Sequence, residues 1–407
     1  MRKLYVPIEH LAIVSYIKLL KEPKQQVFVG NDSLFSLVKT MKKEKYNKVF
    51  VVTDKNIMKL NLIGSLLSSL KGNNIEYVVY DDVESDPSIE TVENGFKLYR
   101  ENGCDSILAV GGGSVIDCSK VIGARVSDPK RSILKLKRLV GGVRKFKVPF
   151  MVVPTTAGTG SENTYYALIT NKETKQKYPL FSNKYIPNYV ALDPNLTINL
   201  PLPITAYTGM DALTHAIESY VSTFSKYFKK DKKQALEATK MVLDNLEKVY
   251  KEPTNLKYRE NMLVASYKAG LAFRRISIGY VHNFAHRMGE LYHIPHGLAN
   301  AIILPYILEY MLPKAKKSLS ELAVYCKLGN TDEDELELAQ KFINKIKQLN
   351  KDIKIPNKIK EIKESDYPIL VKRILKEGDM CGNPRLMNKK ECIEMLNRIK
   401  KGLKNEK

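Results

Sequence analysis

Residues 106–117 read Ser-Ile-Leu-Ala-Val-Gly-Gly-Gly-Ser-Val-Ile-Asp, a short apolar run closing on three glycines and a serine. A run of this length bounded by glycine reads as a strand buried on both faces, and the polar turn after it leads into a helix. Glycine lets the backbone approach an anion closely, and the first helical N–H groups are free to face that anion. The segment is thus a phosphate cradle or an ordinary tight turn. It is neither the G-x-G-x-x-G fingerprint nor a Walker A loop, because no Gly-Lys-Ser/Thr follows.

Further apolar runs at 26–29, 49–52, 76–79 and 150–153 alternate with helix-length stretches such as 55–70 and 88–102. That alternation predicts β-α units in a mainly parallel sheet, with ligands beyond the strands' C-terminal ends. After the fifth run comes Pro154-Thr-Thr-Ala-Gly-Thr-Gly-Ser-Glu162, where hydroxyls interleaved with glycines suit phosphate and ribose oxygens or cap a helix. The second run ends at Asp54, which either accepts from a ribose 2′-OH, favouring NAD over NADP, or caps the next helix. Beyond Leu200-Pro-Leu-Pro203 strand patterns stop, and 204–222, 233–250, 256–275 and 318–349 read as helices. The expected organisation is an α/β dinucleotide-binding domain at 1–200, with 1–24 as an N-terminal extension, and an all-α domain at 201–407.

Five of the six histidines fall in two windows of the helical half. Asp211 and His215 are spaced i,i+4, as are His282 and His286, so each pair shares one helix face. His293 and His296 follow, the latter after Pro295. Imidazole and carboxylate together suit a divalent transition metal, and three pieces of chain can converge on one ion. His10 stands apart and reads as structural. Glu218, one turn beyond His215, reads as an exposed helix charge or, less simply, as an acid behind the site.

The 407 residues are 44% hydrophobic, enough for two cores, and carry a net charge of +22. The lysines are scattered in pairs rather than forming one stripe with stacking aromatics, so they read as solvated faces and nucleic acid is not an expected partner. Cys104, Cys118, Cys326, Cys381 and Cys392 show no C-x-x-C spacing and read as reduced thiols of a cytoplasmic protein. No run reaches about eighteen apolar residues, so no membrane span is expected. The patch at 11–17 reads as an amphipathic helix covering the first domain or a neighbouring subunit.

Together these segments resemble the iron-containing (group III) alcohol dehydrogenase family over nearly the whole chain from about Gln25. The resemblance rests on Val52-Thr-Asp-Lys55, Gly-Gly-Gly-Ser-x-x-Asp at 111–117, the 154–162 turn and Leu192-Asp-Pro194. It continues through Gly209-Met-Asp-Ala-Leu-Thr-His-Ala-Ile-Glu218 and His296-Gly-Leu-Ala-Asn-Ala-Ile-Ile-Leu-Pro305. It implies a dehydroquinate synthase-like architecture, with Asp211, His215, His282 and His296 as metal ligands and His286 as the remaining active-site histidine. Implied cofactor contacts are Asp54, Asp86, Gly112, Gly113, Ser114, Asp117, Thr155, Thr156, Thr159 and Lys177. The activity implied is reversible hydride transfer between NAD(H) and a small alcohol or aldehyde by a homo-oligomer, such as a dimer. The metal, Fe²⁺ by resemblance with Zn²⁺ also suited to the donors, would act as a Lewis acid on the substrate oxygen while His286 relays the proton. With cofactor turns and ligands on opposite sides of residue 200, nicotinamide and metal are expected to meet in the cleft. Departures from the family are the 1–24 extension, Arg274 and Arg275 ahead of His282, Arg287 after His286, and His293. Arg274 or Arg275 either recognises an acidic substrate or is a packing residue. Alternatives are a glycerol-dehydrogenase-like zinc enzyme, a dehydroquinate-synthase-like lyase and a non-enzymatic anion binder.

Overall fold

A computed structural model describes residues 2–402 apart from 137–141, 144 and 175, with the backbone alone for residues 2–8; 403–407 of the lysine-rich tail lie outside the described residues. Packing divides the chain into two compact units, Lys21–Asn199 with Thr254–Tyr267, and Met1–Leu20 with Leu200–Pro253 and Lys268–Lys407.

The first unit holds eight strands: β1 (Gln26–Val29), β2 (Lys48–Val52), β3 (Glu76–Tyr80), β4 (Ser106–Gly111), β5 (Phe150–Pro154), β6 (Tyr166–Asn171), β7 (Gln176–Phe181) and β8 (Tyr189–Leu192). Six of them form one sheet in the order β1-β8-β5-β4-β2-β3, every neighbour parallel. The central strands are apolar without alternation because both faces are covered: Val49 to Val52 and Ile107 to Val110 are fully buried. From β2 the chain builds β3 on one side, then returns to build β4, β5 and β8 on the other. The reversal falls between β2 and β4, so the ligand crevice of an open α/β sheet lies past Val52 and Gly111.

All five apolar runs are strands, whereas β6, β7 and β8 are additions. β6 and β7 pair as an antiparallel hairpin outside the main sheet. Tyr166 and Leu168 of β6 are exposed, so no hydrophobic alternation marks it, and β7 carries Pro179 inside it, a residue that argues against a strand in the sequence. The stretch 55–70 is two helices, Lys55–Lys59 and Gly64–Gly72, separated where Asn61 turns left-handed.

The second unit is helical: Leu202–Val221, Lys229–Lys251, Tyr280–Tyr292, His296–Tyr325, Glu335–Asp352, Tyr367–Met380 and Lys389–Lys401, with the helix Leu256–Ile276 shared across the division. The expected helix at 318–349 is two. Lys327 is left-handed, and Asp334 caps the second helix by accepting from the N–H groups of Leu336 and Glu337. The N-terminal helix Arg2–Leu19 joins this unit rather than covering the sheet domain, burying Val14 and Ile17 against Phe224, Phe228 and Ile276. His10 is structural here, its Nε2 2.8 Å from the Asp379 carbonyl and its ring edge-on to Phe224. All five cysteines are free and buried. No helix among the described residues is long and apolar enough to cross a membrane.

Candidate active site

The Leu202–Val221 helix begins with Pro203 in its first turn, where a missing N–H costs nothing, and runs through the helix-favouring segment Ala212-Leu-Thr-His-Ala-Ile217. It therefore presents Asp211 and His215 from one face. The Tyr280–Tyr292 helix presents His282, and Asp211, His215 and His282, all buried, offer ligand atoms within 4.8 Å of one another. His296, the first residue of the next helix, brings Nε2 to 3.5 Å from Asp211 Oδ1, and its side chain is 43% exposed, forming the open side of the group. The rings of His215 and His282 stack at 4.5 Å, and His215 is held on its other side by Phe273 at 4.1 Å. His286 completes the array with its ring 5.5 Å from His296 and 6.1 Å from His282. His293 is exposed at the left-handed C-cap of its helix and makes none of these ring contacts.

The charge pattern fits a cation. Burial alone would raise the Asp211 carboxyl, but the imidazoles of His215, His296 and His282 outweigh it and hold the group far below the carboxylate range. Burial disfavours charge on His282 too, yet Asp211 and Glu218 push its pKa up to about 9. His282 Nε2 is buried without a hydrogen bond, 3.7 Å from Asp211 Oδ1. One buried carboxylate and three imidazoles, one of them with a ring nitrogen that makes no hydrogen bond, match the donor chemistry of Fe²⁺ or Zn²⁺.

Glu218 is not an exposed helix charge: it is only 4% exposed. Its carboxylate accepts from His282 Nδ1 at 2.6 Å, Gly279 N at 2.8 Å and Val281 N at 2.7 Å. One side chain thus fixes the orientation of a candidate ligand and caps the helix that carries it. Two further residues escape sequence reasoning. Asn300 donates to Asp211 Oδ1 at 2.7 Å and lies 3.2 Å from His296 Nε2; its i,i+4 spacing from His296 is the signal that could have found it. Glu377 lies 2.8 Å from His286 Nδ1, and nothing local marks it. Arg275 is a packing residue. Its guanidinium pairs with buried Asp231 at 2.6 and 3.0 Å and covers the Phe228 ring, which removes it from substrate recognition; Arg274 lies in the last turn of the same helix.

In the sheet unit, β4 and β5 are paired through Gly111 and Pro154, which brings the turns after them side by side. Gly112 caps the Gly113–Ser127 helix without a side chain. A Cβ on Gly113 would meet Thr159 Cγ2 at 2.8 Å, so glycine is what lets the two turns close on each other. Thr155 is buried with its N–H donating to Gly111 O, Thr156 lies against Gly112, and Ser114 Oγ donates to Ser85 O. Asp117 accepts from Ser161 Oγ at 2.6 Å and from Leu168 N at 2.9 Å, so it braces the turns from behind. The fully buried Lys120, unmarked in the sequence, reinforces that brace, donating to Ser161 Oγ, Thr164 Oγ1 and Tyr166 O at 2.7–2.9 Å. Asp54 does cap its helix, Oδ1 accepting from Asn56 N and Ile57 N. Asp86 and Lys177 pair with each other at 2.7 Å on the surface.

Comparison with known proteins places the chain among described relatives. Residues 23–194 match the family described as iron-containing alcohol dehydrogenase, and residues 205–400 match its C-terminal counterpart, the Fe-containing alcohol dehydrogenase family, C-terminal. The 1,3-propanediol dehydrogenase of Citrobacter freundii is 36% identical over 354 residues, covering 86% of this chain and 90% of that protein. The NADPH-dependent butanol dehydrogenase of Clostridium saccharobutylicum is 36% identical over 376 residues, 90% of this chain and 94% of that protein. A crystal structure of a 1,3-propanediol oxidoreductase superposes with a TM-score of 0.87 at 34% identity, covering 92% of this chain and 97% of that one.

Proposed function

The chain belongs to the iron-containing alcohol dehydrogenase family, and from that premise we propose that Asp211, His215, His282 and His296 hold Fe²⁺ in an NAD(H)-dependent reductase of small aldehydes. The observation that carries the reading is the buried carboxylate-imidazole group with ligand atoms within 4.8 Å, open on the His296 side. Bound there, a divalent metal supplies Lewis acidity that polarises a carbonyl and stabilises alkoxide character. The protein's own groups do the rest. Glu218 orients His282, Asn300 orients Asp211 and His296, and His286 exchanges the proton between substrate oxygen and solvent.

Nucleotide binding is assigned to the sheet unit: phosphates at Gly112, Gly113 and Ser114, ribose and phosphate oxygens at Thr155, Thr156 and Thr159, with Asp86 and Lys177 at the margin. Capping engages Oδ1 of Asp54, and its second oxygen is the proposed acceptor for the adenosine ribose 2′-OH, which favours NAD over NADP. Domains are proposed with their boundary near residue 200, the first twenty residues belonging to the helical one. Five buried free thiols support action in the cytoplasm, and we infer a homodimer with no nucleic-acid partner.

The test is anaerobic purification, loading with Fe²⁺ or Zn²⁺ separately, and measurement of NADH and NADPH oxidation against a panel of small aldehydes. Iron-dependent turnover preferring NADH is the expected result. Turnover with zinc alone would reassign the metal, and turnover with NADPH alone would reassign the role of Asp54.

A further inference from the structure

The helix Tyr367–Met380 carries Glu377 up to the Tyr280–Tyr292 helix, where its carboxylate grips two consecutive residues. Oε1 lies 2.8 Å from His286 Nδ1, and Oε2 accepts from an Arg287 Nη at 3.0 Å. Arg287 is itself held by Glu290 at 2.8 Å, and Glu290 by Arg373 at 2.9 Å, so two ion-paired steps fix the carboxylate from behind. Arg287, a departure from the family's pattern, thus has a partner inside the protein rather than in the substrate.

An ionised carboxylate only accepts hydrogen bonds, so His286 must carry its proton on Nδ1. When the ring is neutral, the lone pair then resides on Nε2. Burial would raise the Glu377 carboxyl, but His286 and Arg287 outweigh it and keep the group below its ordinary range, so the acceptor persists near neutral pH. The ring is also constrained in plane, lying 16° from parallel with His296.

We propose that Glu377 is a positioning residue that locks His286 in the Nδ1–H tautomer, leaving Nε2 as the atom that takes up and returns the proton, and that Arg287 is the cation that keeps Glu377 in place. The inference rests on the assignment of His286 as the proton relay. It predicts that an acceptor at position 377, not its negative charge alone, preserves the tautomer.

The experiment uses zinc-loaded protein with 15N-labelled histidine, the His286 signals being assigned by their loss in H286Q. Wild type should show protonated Nδ1 and unprotonated Nε2. Glu377→Ala should shift His286 toward the Nε2–H form and lower kcat about ten- to a hundredfold with KM for aldehyde little changed. Glu377→Gln, which retains an acceptor and the side-chain volume, should restore the Nδ1–H signature and part of the rate. Nε2–H in the wild type, or an unchanged His286 spectrum in Glu377→Ala, overturns the proposal. If His286→Ala leaves kcat unchanged, the relay assignment fails, while the spectra still decide separately whether Glu377 sets the tautomer.

Discussion

His282 joins two carboxylates from opposite sides, Glu218 at Nδ1 and Asp211 near Nε2, and that geometry has a pH consequence. Metal binding needs a neutral imidazole, whereas the metal-free ring, raised to about 9, is protonated at neutral pH. Each metal ion bound near neutrality therefore releases a proton from His282. Affinity for Zn²⁺ should rise about tenfold per pH unit up to about pH 9, measured by chelator competition. A flat profile would mean that the ring is neutral in the metal-free protein. At this scale the sequence was informative about ligand types and poor about their supports. The i,i+4 pairs are visible because helical spacing is local. Whether Glu218 meets water or another helix depends on Gly279 to His282, more than sixty residues away.

Two elements meet backbone to backbone where the His296–Tyr325 helix starts against Leu202–Val221: a Cβ on Gly297 would lie 2.3 Å from the Tyr207 carbonyl oxygen. Backbone cannot rotate aside as a side chain can, so Gly297→Ala should push His296 away from Asp211. We expect a loss of about tenfold or more in metal affinity, with melting temperature falling less than for a core cavity. In the sheet unit, Glu162 is buried, and burial raises its pKa to about 7 although Lys120 pulls the other way. A raised carboxyl favours folding while protonated. Its contribution is present below about pH 4.5 and lost as pH rises through about 7. Relative to Glu162→Gln, wild type should therefore lose a few degrees of melting temperature across that window; parallel curves would remove Glu162 from the account. Strands β2, β4 and β5 were legible because burial on both faces leaves an uninterrupted apolar run, and the edge strands β1 and β3 because they stay apolar although only partly buried. The β6–β7 hairpin was not, since its exposed Tyr166 and Leu168 erase the alternation that marks a half-buried strand.

For the whole molecule, the point where strand patterns stop was legible, because a change in hydrophobic period requires no partner to be seen. The place of the first helix was not, because an apolar stripe does not say which surface it will cover. Val14 and Ile17 are 2% and 7% exposed, so Ile17→Ala should destabilise the helical unit by about 2 kcal/mol, read by hydrogen exchange at Phe224 and Ile276, with the sheet unit unaffected. Equal loss in both units would mean that they unfold together. The chain changes unit at 20/21, 199/200, 253/254 and 267/268, and His10 contacts Asp379 across 369 positions. A ribosome makes the first helix long before the segment that receives it. At about 5–20 residues per second, Val14 and Ile17 wait tens of seconds for Phe224, Phe228 and Ile276, and the Asp379 contact closes only after roughly a hundred residues more. Neither unit can be completed by the first 199 residues alone: the sheet unit stays open until residues 254–267 are made, and the helical unit until the segments beyond 268 follow.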